Sequence, residues 1–280
     1  MKICRFEGAR IGVLRGEQVF DVTSRVTPLL DANVPGDPLV TALPRLGPVL
    51  TDVSGCAALS KSSIKLLSPV ARPGKIVAAP VNYSKHIAEM QANNVSPGFN
   101  ITDIGKAGLF MKANSSLVGP SQGIAQRFLD RRTDYEVELV VVIGKPCDRV
   151  TATDALSYVV AYTLGLDITV RGTEDRSFRK SIDTYTVLGP WLTTADELPD
   201  PDQLQITLHQ NGSLRQNGHT SDMVYSVARL IEFASSFYTL QPGDLLYTGT
   251  PEGVGPIRPG DVLRAECEAL GAMDVTVRAA

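Results

Sequence analysis

The sequence predicts an α+β protein that is mostly β, in which a small N-terminal β-rich domain precedes a larger domain with few helices. Residues 134–144, DYEVELVVVIG, place carboxylates at every second position of an otherwise apolar run, which is the period of a β-strand. The first 70 residues read as short strands and turns, with Gly16 between two apolar runs. The 24 glycines and 18 prolines favour turns and short strands over long helices.

A linker is predicted near residue 70. The segment SPVARPGKIV, residues 68–77, contains two prolines and a glycine before a new apolar run. We therefore expect a small N-terminal domain at residues 1–70 and a larger second domain at residues 71–280.

Two helices and two turns are predicted in the larger domain. TATDALSYVVAYTLG, residues 151–165, has Thr153 as a plausible N-cap and apolar residues at helical spacing. DMVYSVARLIEFASSFYTL, residues 222–240, has a similar pattern, with an apolar face predicted at Val224, Val227, Ile231, Ala234 and Phe237. Pro-Gly-Asp turns at 242–244 and 259–261 each precede a predicted strand.

The composition indicates a soluble, cytoplasmic protein and says nothing about its chemistry. The formal net charge of −3 argues against broad binding to nucleic acid or to acidic membranes. No apolar run approaches the length of a membrane span, and the N-terminus lacks the apolar core of a signal peptide. Four widely spaced cysteines form no C-x-x-C pair, so we expect free thiols in a reducing cytosol.

The acidic strand has two interpretations. Asp134, Glu136 and Glu138 lie on one face of the strand, about 7 Å apart along it, where like charges repel. The face is either solvated, as acidic side chains usually are, or it holds a cation. The three histidines of the chain argue against a multi-histidine zinc site, whereas carboxylates suit Mg²⁺, Mn²⁺ or Ca²⁺. Asp167 is a candidate third ligand, with a turn aspartate as the alternative.

A possible base and a possible lid follow residue 82. His86 and Glu89 are three residues apart, so on a helix the carboxylate would hold one imidazole nitrogen and leave the other as a general base. An exposed surface helix is the alternative. The polar stretch that follows contains proline and glycine, which suggests a mobile lid at residues 86–108 or an ordinary surface loop.

Two glycine-containing motifs are candidate binding or catalytic elements. YTGTPEGVGP, residues 247–256, offers backbone N–H groups to an anion but matches no nucleotide-binding motif. GPSQG, residues 119–123, matches the G-x-S-x-G nucleophile pattern, but Pro120 and the lack of a preceding hydrophobic strand predict a simple turn.

Four motifs together resemble the fumarylacetoacetate hydrolase family. They are DYEVELVVVIGK, YTLGLDITVR, RKSIDTYTVLGPWL and LQPGDLLYTGTPEGVG, in the family's order and spacing over residues 70–270. The resemblance implies a layered β-sheet roll, a homodimer, and a divalent metal ion. The metal is Mg²⁺ or Mn²⁺, with Ca²⁺ as a substitute.

The resemblance also implies the site residues. The metal ligands would be Glu136, Glu138 and Asp167, and Asp134 would face solvent. The catalytic residues would be His86, Glu89 and Lys180, and the substrate-binding residues Arg171 and Thr250. The sequence departs from the family at Gly172, where many members have an acidic residue, and at Glu174, where some hydrolases have glutamine.

The implied reaction is hydrolysis of a carbon–carbon bond in an acylpyruvate, a 2,4-dioxo acid of the kind met in aromatic catabolism. His86 would deprotonate water for attack on the distal carbonyl, and the metal and Lys180 would stabilise the enolate. Decarboxylation of oxaloacetate and isomerisation of an unsaturated 2-oxo acid use the same enolate and stay open. Glycoside hydrolysis and a non-catalytic metal-binding module are weaker alternatives.

Overall fold

A computed structural model describes residues 1–93 and 103–280. Strands dominate it and its helices are few and mostly short, so the predicted mostly-β class is confirmed. The N-terminal part contains β1 (Lys2–Phe6), β2 (Arg10–Arg15), β3 (Gln18–Asp21), α1 (Thr23–Val26), α2 (Pro38–Thr51), β4 (Ala57–Ser60) and β5 (Leu66–Leu67).

The elements that carry the candidate site follow. They are β6 (Ile76–Ala78), α3 (Ser84–Asn93), α4 (Ile104–Ala107), β7 (Phe110–Lys112), β8 (Leu117–Val118), β9 (Ile124–Gln126), β10 (Thr133–Tyr135), β11 (Val137–Ile143), α5 (Ala152–Ala155), β12 (Val159–Asp167), β13 (Thr169–Val170), α6 (Arg176–Lys180) and β14 (Thr186–Thr194). The last part contains β15 (Gln205–Gln210), β16 (Ser213–His219), α7 (Val227–Phe237), β17 (Leu245–Tyr247), β18 (Gly255–Pro256), β19 (Val262–Cys267) and β20 (Gly271–Ala279).

The largest sheet of the described residues runs through both parts of the chain. Its order is β4-β3-β2-β1-β14-β12-β11-β17-β6-β7, with β5 on β1 and β8 on β14. The N-terminal strand joins it because Ile3 of β1 pairs with Leu192 of β14. The domain boundary near residue 70 stays a prediction. Two smaller sheets, β13-β10-β18 and β16-β15-β19-β20-β9, complete the layers around the central strands.

Apolar side chains fill the space on both sides of the central strands. One cluster packs α7 and the smaller sheets against one face, and another packs α2 against the other. Strands β11 and β12 are therefore buried on both faces, and their sequences are apolar almost throughout. No helix of the described residues is long and apolar enough to cross a membrane.

The helix predicted over residues 151–165 is wrong. The chain forms only the short α5 and a 3₁₀ turn there, and then the strand β12. Strand β12 pairs with β11 on one side and β14 on the other. A strand that is buried on both faces has no two-residue alternation, so its apolar pattern is ambiguous between helix and strand.

The other local predictions are confirmed in part. The first 70 residues contain the 14-residue helix α2 besides the predicted short strands and turns. Helix α7 begins after the N-cap Ser226, whose side chain accepts a hydrogen bond from the Arg229 N–H. Val227, Ile231 and Ala234 are buried as predicted, whereas Val224 and Phe237 are 49% and 66% exposed. Strands β17 and β19 follow the two Pro-Gly-Asp turns. The GPSQG motif is a turn, with a 3₁₀ helix at Pro120–Gln122.

A buried aspartate ties α2 to the start of the larger part. Asp37 is the N-cap of α2, and its Oδ1 accepts hydrogen bonds from the N–H groups of Leu39 and Val40. Its Oδ2 accepts from the N–H groups of Ala71 and Arg72, in the predicted linker. One fully buried carboxylate thus satisfies four backbone donors from two segments.

Replacing this aspartate is expected to destabilise the whole protein. Asp37→Ala should lower the free energy of unfolding by about 2–4 kcal/mol, because it leaves four backbone donors without their acceptor. Urea denaturation measures the change. Asp31→Ala is the matched control, since Asp31 is exposed and accepts one local hydrogen bond, from Asn33. Equal stability of the two variants would contradict this account.

Candidate metal centre and active site

Three carboxylates converge where β11 and β12 meet. Glu136 directly precedes β11, Glu138 is its second residue, and Asp167 ends β12. The two strands are antiparallel, and the Asp167 N–H donates to the Glu136 carbonyl at 2.9 Å. One oxygen from each side chain lies within 4.8 Å of the others, and all three residues are buried. We call Glu136, Glu138 and Asp167 the acidic triad.

Two buried lysines contact the acidic triad. Lys180, at the end of α6, donates to Glu136 Oε2 and to Asp167 Oδ2, each at 2.6 Å. Lys112, at the end of β7, donates to Asp167 Oδ1 and to the Tyr185 carbonyl, the latter at 3.0 Å. The structure therefore places the predicted Lys180 beside the triad. The structure also places Lys112 there. In the sequence this lysine is only a single charge after a short apolar run, and no motif pointed to it.

The charges of the triad are unevenly compensated. Burial raises the pKa of Glu136, but Lys180 and Arg171 more than offset it and bring the pKa far below its usual range. Burial lowers the pKa of Lys180, but Asp167 and Glu136 more than offset it. For Glu138, burial and then the charge of Asp167 raise the pKa well above its usual value. Among the described residues, Glu138 has no ion-pair partner, and its carboxylate accepts the Gly249 N–H at 2.7 Å.

The donor set fits a hard divalent cation. Every candidate ligand atom is a carboxylate oxygen, and three protein ligands leave coordination positions for a small molecule. A cation at this place would supply the positive charge that Glu138 lacks. These features agree with the predicted Mg²⁺ or Mn²⁺, with Ca²⁺ as a substitute.

The prediction that Asp134 faces solvent is wrong. Asp134 is fully buried, because β10 lies between β13 and β18. Its two oxygens accept from Arg132 Nε at 2.8 Å and from Arg171 Nε at 2.7 Å. The acidic face of the strand is thus buried, and cationic side chains pair with Asp134 and Glu136 but not with Glu138, so the solvated-face interpretation fails.

Arg171 links Asp134 to the acidic triad. Its Nη2 lies 2.9 Å from Glu136 Oε1, but the angle is unsuitable for a hydrogen bond. The side chain is only 8% exposed, so this nitrogen is a buried donor without a well-aligned acceptor among the described residues. Such a donor is available to an oxygen atom of a ligand in the site.

His86 and Glu89 form the predicted contact on α3. The distance from His86 Nδ1 to a Glu89 carboxylate oxygen is 3.1 Å, and His86 is buried, so the exposed-helix alternative does not hold for it. Both oxygens of Glu89 also face the Gly253 N–H, at 3.1 and 3.2 Å. Burial raises the pKa of Glu89, but the hydrogen bonds from His86 and Gly253 bring it below its usual value.

The glycine-rich loop at 247–256 binds carboxylates of the protein itself. The Gly249 N–H bonds to Glu138 and the Gly253 N–H to Glu89, so one loop contacts both the acidic triad and the His86–Glu89 pair. Both glycines have φ near +95°, a conformation that side-chain-bearing residues rarely adopt. The predicted anion-binding role of the loop is thus seen within the protein.

Thr250 lies in the same loop, beside the acidic strand. Its hydroxyl donates to the Val137 carbonyl and accepts from Gln216 Nε2, each at 2.8 Å. Gln216 also accepts the Val137 N–H at 3.0 Å, so it holds the strand between Glu136 and Glu138. No sequence motif pointed to Gln216, because it is an ordinary glutamine in a polar stretch.

The lid predicted at residues 86–108 is described only in part. Residues 94–102 lie outside the described residues. On either side, α3 contributes His86 and Glu89, and α4 begins after Asp103, whose side chain accepts the Gly105 N–H. The lid stays a prediction.

Fold and site together define a metal-dependent enzyme built on a mostly-β scaffold. The sequence profile of the fumarylacetoacetate (FAA) hydrolase C-terminal domain matches residues 75–278, and the chain belongs to this family. It is 50% identical to a maleylpyruvate hydrolase of Aquipseudomonas alcaligenes over 286 aligned positions, which cover 99% of both chains. It is 37% identical to a mitochondrial oxaloacetate tautomerase of Rattus norvegicus over 76% of this chain and 69% of that protein.

A solved structure resembles the whole chain. A maleylpyruvate hydrolase from Sphingobium sp. SYK-6, in complex with manganese(II) and pyruvate, superposes with a TM-score of 0.85 at 35% identity, covering 100% of this chain and 99% of that one. The predicted family, its fold class and a hydrolase activity are confirmed by these comparisons. They support neither glycoside hydrolysis nor a non-catalytic module.

The uneven compensation of the triad makes two similar substitutions behave differently. Glu138→Gln should weaken Mn²⁺ binding by more than about 100-fold and leave the metal-free protein at least as stable, since it removes a charge that has no ion-pair partner. Glu136→Gln should instead destabilise the metal-free protein by about 3 kcal/mol, because it leaves Lys180 and Arg171 short of a buried partner.

Titration calorimetry with Mn²⁺ and chemical denaturation in EDTA measure both quantities. Undiminished Mn²⁺ affinity in Glu138→Gln would contradict the assignment of this ligand. A metal-free Glu136→Gln protein as stable as Glu138→Gln would contradict the account of the charges.

Proposed function

We propose that this protein is a divalent-metal-dependent hydrolase that cleaves a carbon–carbon bond in an acylpyruvate, with maleylpyruvate as the leading substrate. The buried acidic triad beside Lys180 carries the proposal, because it offers a cation site next to a fixed positive charge. The 50% identity to a maleylpyruvate hydrolase over nearly the full length of both chains supports the choice of substrate.

The charge of the site suits a doubly negative substrate. Outside the His86–Glu89 pair, the four carboxylates of the centre and the four cationic side chains that contact them balance in formal charge. They are Asp134, Glu136, Glu138, Asp167, Lys112, Arg132, Arg171 and Lys180. A divalent cation would leave two positive charges in excess, and maleylpyruvate carries two carboxylates. Opposite charges of this size favour binding in a buried site.

Lys180, Arg171 and Thr250 have separate tasks in this proposal. When bound, the divalent cation supplies Lewis acidity toward the 2-oxo acid. Lys180 Nζ, held by two triad carboxylates, places a positive charge beside the enolate that develops as the carbon–carbon bond breaks. Arg171 Nη2 donates to a substrate oxygen. Thr250 binds the substrate carboxylate after its hydroxyl hydrogen turns away from the Val137 carbonyl.

His86 activates the water. With Nδ1 protonated and donating to Glu89, the Nε2 atom accepts a proton from water, and the hydroxide oxygen forms a bond to the distal carbonyl carbon. The π electron pair of that carbonyl moves to its oxygen during the attack. When the C=O bond re-forms, the bond from that carbon to the methylene group breaks, and its electron pair stays on the pyruvate fragment as the enolate. The proton held by His86 goes to that methylene carbon, so the products are an acid and pyruvate.

Oxaloacetate tautomerisation is the second candidate. The similarity to a mitochondrial oxaloacetate tautomerase favours it, and exchange between keto and enol forms needs the same stabilisation of an enolate. Decarboxylation and isomerisation draw on that enolate as well. None of these reactions consumes water, and this separates them from hydrolysis.

Product analysis distinguishes these reactions. The purified protein with Mn²⁺ should convert maleylpyruvate to maleate and pyruvate, which NMR detects directly. Oxaloacetate and an unsaturated 2-oxo diacid serve as the competing substrates. Turnover of either one together with intact maleylpyruvate would refute the hydrolase assignment. Two further predictions, a homodimer and a cytoplasmic location, are tested by light scattering and by cell fractionation.

Replacing His86 should separate metal binding from catalysis. His86→Ala should slow maleylpyruvate hydrolysis by about 10²–10⁴-fold, because water activation loses its base. The Mn²⁺ affinity should be unchanged, since every assigned ligand is a carboxylate oxygen. Glu89→Gln should be milder, because the amide still positions the ring and can still accept from it. Steady-state rates and calorimetry measure both effects, and full hydrolysis by His86→Ala would exclude the proposed base.

A further inference from the structure

An ion pair lies directly behind the active-site arginine. Arg131, in the segment between β9 and β10, places Nη2 at 2.9 Å from Glu174 Oε2. The same Nη2 donates to the Arg171 carbonyl at 3.1 Å. The two side chains are 30% and 39% exposed, so by itself the pair resembles an ordinary surface salt bridge.

Gly172 leaves the space that this ion pair occupies. A Cβ atom at residue 172 would lie 2.3 Å from Arg131 Nη2 and 2.3 Å from Glu174 Oε2. Any side chain at this position would therefore displace the ends of both side chains from their present positions. This accounts for glycine at a position where the family resemblance leads one to expect an acidic residue.

Contacts from three directions hold Arg171. Its N–H donates to the Arg132 carbonyl at 2.8 Å, and its own carbonyl accepts from Arg131. Its Nε donates to Asp134, the carboxylate that also accepts from Arg132. Arg131 and Arg132 thus hold the backbone of Arg171. Asp134, which Arg132 also contacts, holds its guanidinium group.

The far end of the segment is also held. Arg179 donates from Nε to the Glu174 carbonyl at 2.8 Å and from Nη1 to the Val170 carbonyl at 2.9 Å. Hydrogen bonds from Arg179 therefore hold both ends of residues 170–174, and the Arg131–Glu174 ion pair holds them on the more exposed side. The side chain of Arg171 is long and flexible. A fixed backbone is therefore needed to keep its guanidinium group within 3 Å of Asp134 and Glu136.

We propose that Arg131 and Glu174 are positioning residues for substrate affinity, acting through Arg171 with Gly172 as the residue that makes room for them. The pair sets the backbone of Arg171 so that its Nη2 points at the 2-oxo acid. This inference rests on the proposed role of Arg171 in substrate binding. It implies that loss of the pair weakens substrate binding and leaves the metal centre and the chemical step intact.

Oxalate binding to the Mn²⁺-loaded protein tests the proposal without turnover. Arg131→Met, Glu174→Met and Gly172→Ala should each raise the dissociation constant of oxalate and the KM for maleylpyruvate by about tenfold. In the same variants, kcat and the Mn²⁺ affinity should stay within about twofold of the original values. The double variant Arg131→Met/Glu174→Met should be no worse than the worse single one, because the two residues act as one unit.

Two controls complete the experiment. Arg131→Lys keeps a positively charged donor opposite Glu174 and should retain most of the oxalate affinity that Arg131→Met loses. Arg264→Met removes the exposed Arg264–Asp274 pair on the β19–β20 hairpin and should leave oxalate binding unchanged. Comparable melting temperatures across the set would exclude general unfolding as the cause.

Unchanged oxalate affinity in both Arg131→Met and Gly172→Ala would overturn the proposal. Parallel losses of Mn²⁺ and oxalate affinity would also overturn it, since they would indicate loosening of the whole centre. If Arg131→Met fails to fold, Gly172→Ala and Arg131→Lys give the same comparison. Oxalate binding without cleavage of any acylpyruvate would refute the proposed function and still leave the positioning role open to this test.

Discussion

The structure depends on the burial of three carboxylates at the junction of β11 and β12. Removing carboxylates from water is costly unless cations or hydrogen-bond donors replace the water. Lys180 and Arg171 compensate Glu136, Lys112 and Lys180 compensate Asp167, and a backbone N–H is the direct partner of Glu138. The charge that remains uncompensated at Glu138 is the physical reason why a divalent cation belongs in this place.

The glycine-rich loop at 247–256 connects this centre to the proposed base. Gly249 donates to a candidate metal ligand, and Gly253 donates to the carboxylate that orients His86. The candidate metal ligand Glu138 and the proposed base thus both depend on a single loop, whose geometry requires two glycines with positive φ. A shift of the loop would therefore alter both contacts. The loop also explains how His86, on a short helix, is held beside a site formed by central strands.

Much of the candidate site could be predicted from the sequence, but its surroundings could not. Local spacing led to the carboxylates Glu136 and Glu138 and to the His86–Glu89 contact, whereas the assignment of Asp167 came from the family motifs. Lys112 and the burial of Asp134 depend on strands that come together only in the folded sheet. The same limit explains the wrong helix at 151–165, since β12 owes its conformation to pairing with β11 and β14.

The central claim is that the acidic triad holds a cation through which a 2-oxo acid binds. Thermal unfolding in four conditions tests it most directly: metal-free protein, Mn²⁺ alone, oxalate alone, and both together. The account predicts that Mn²⁺ raises Tm, that oxalate raises it further, and that oxalate alone has no effect, because a ligand stabilises only the state to which it binds. An equal increase with oxalate in the absence of metal, or no increase with Mn²⁺, would contradict the claim.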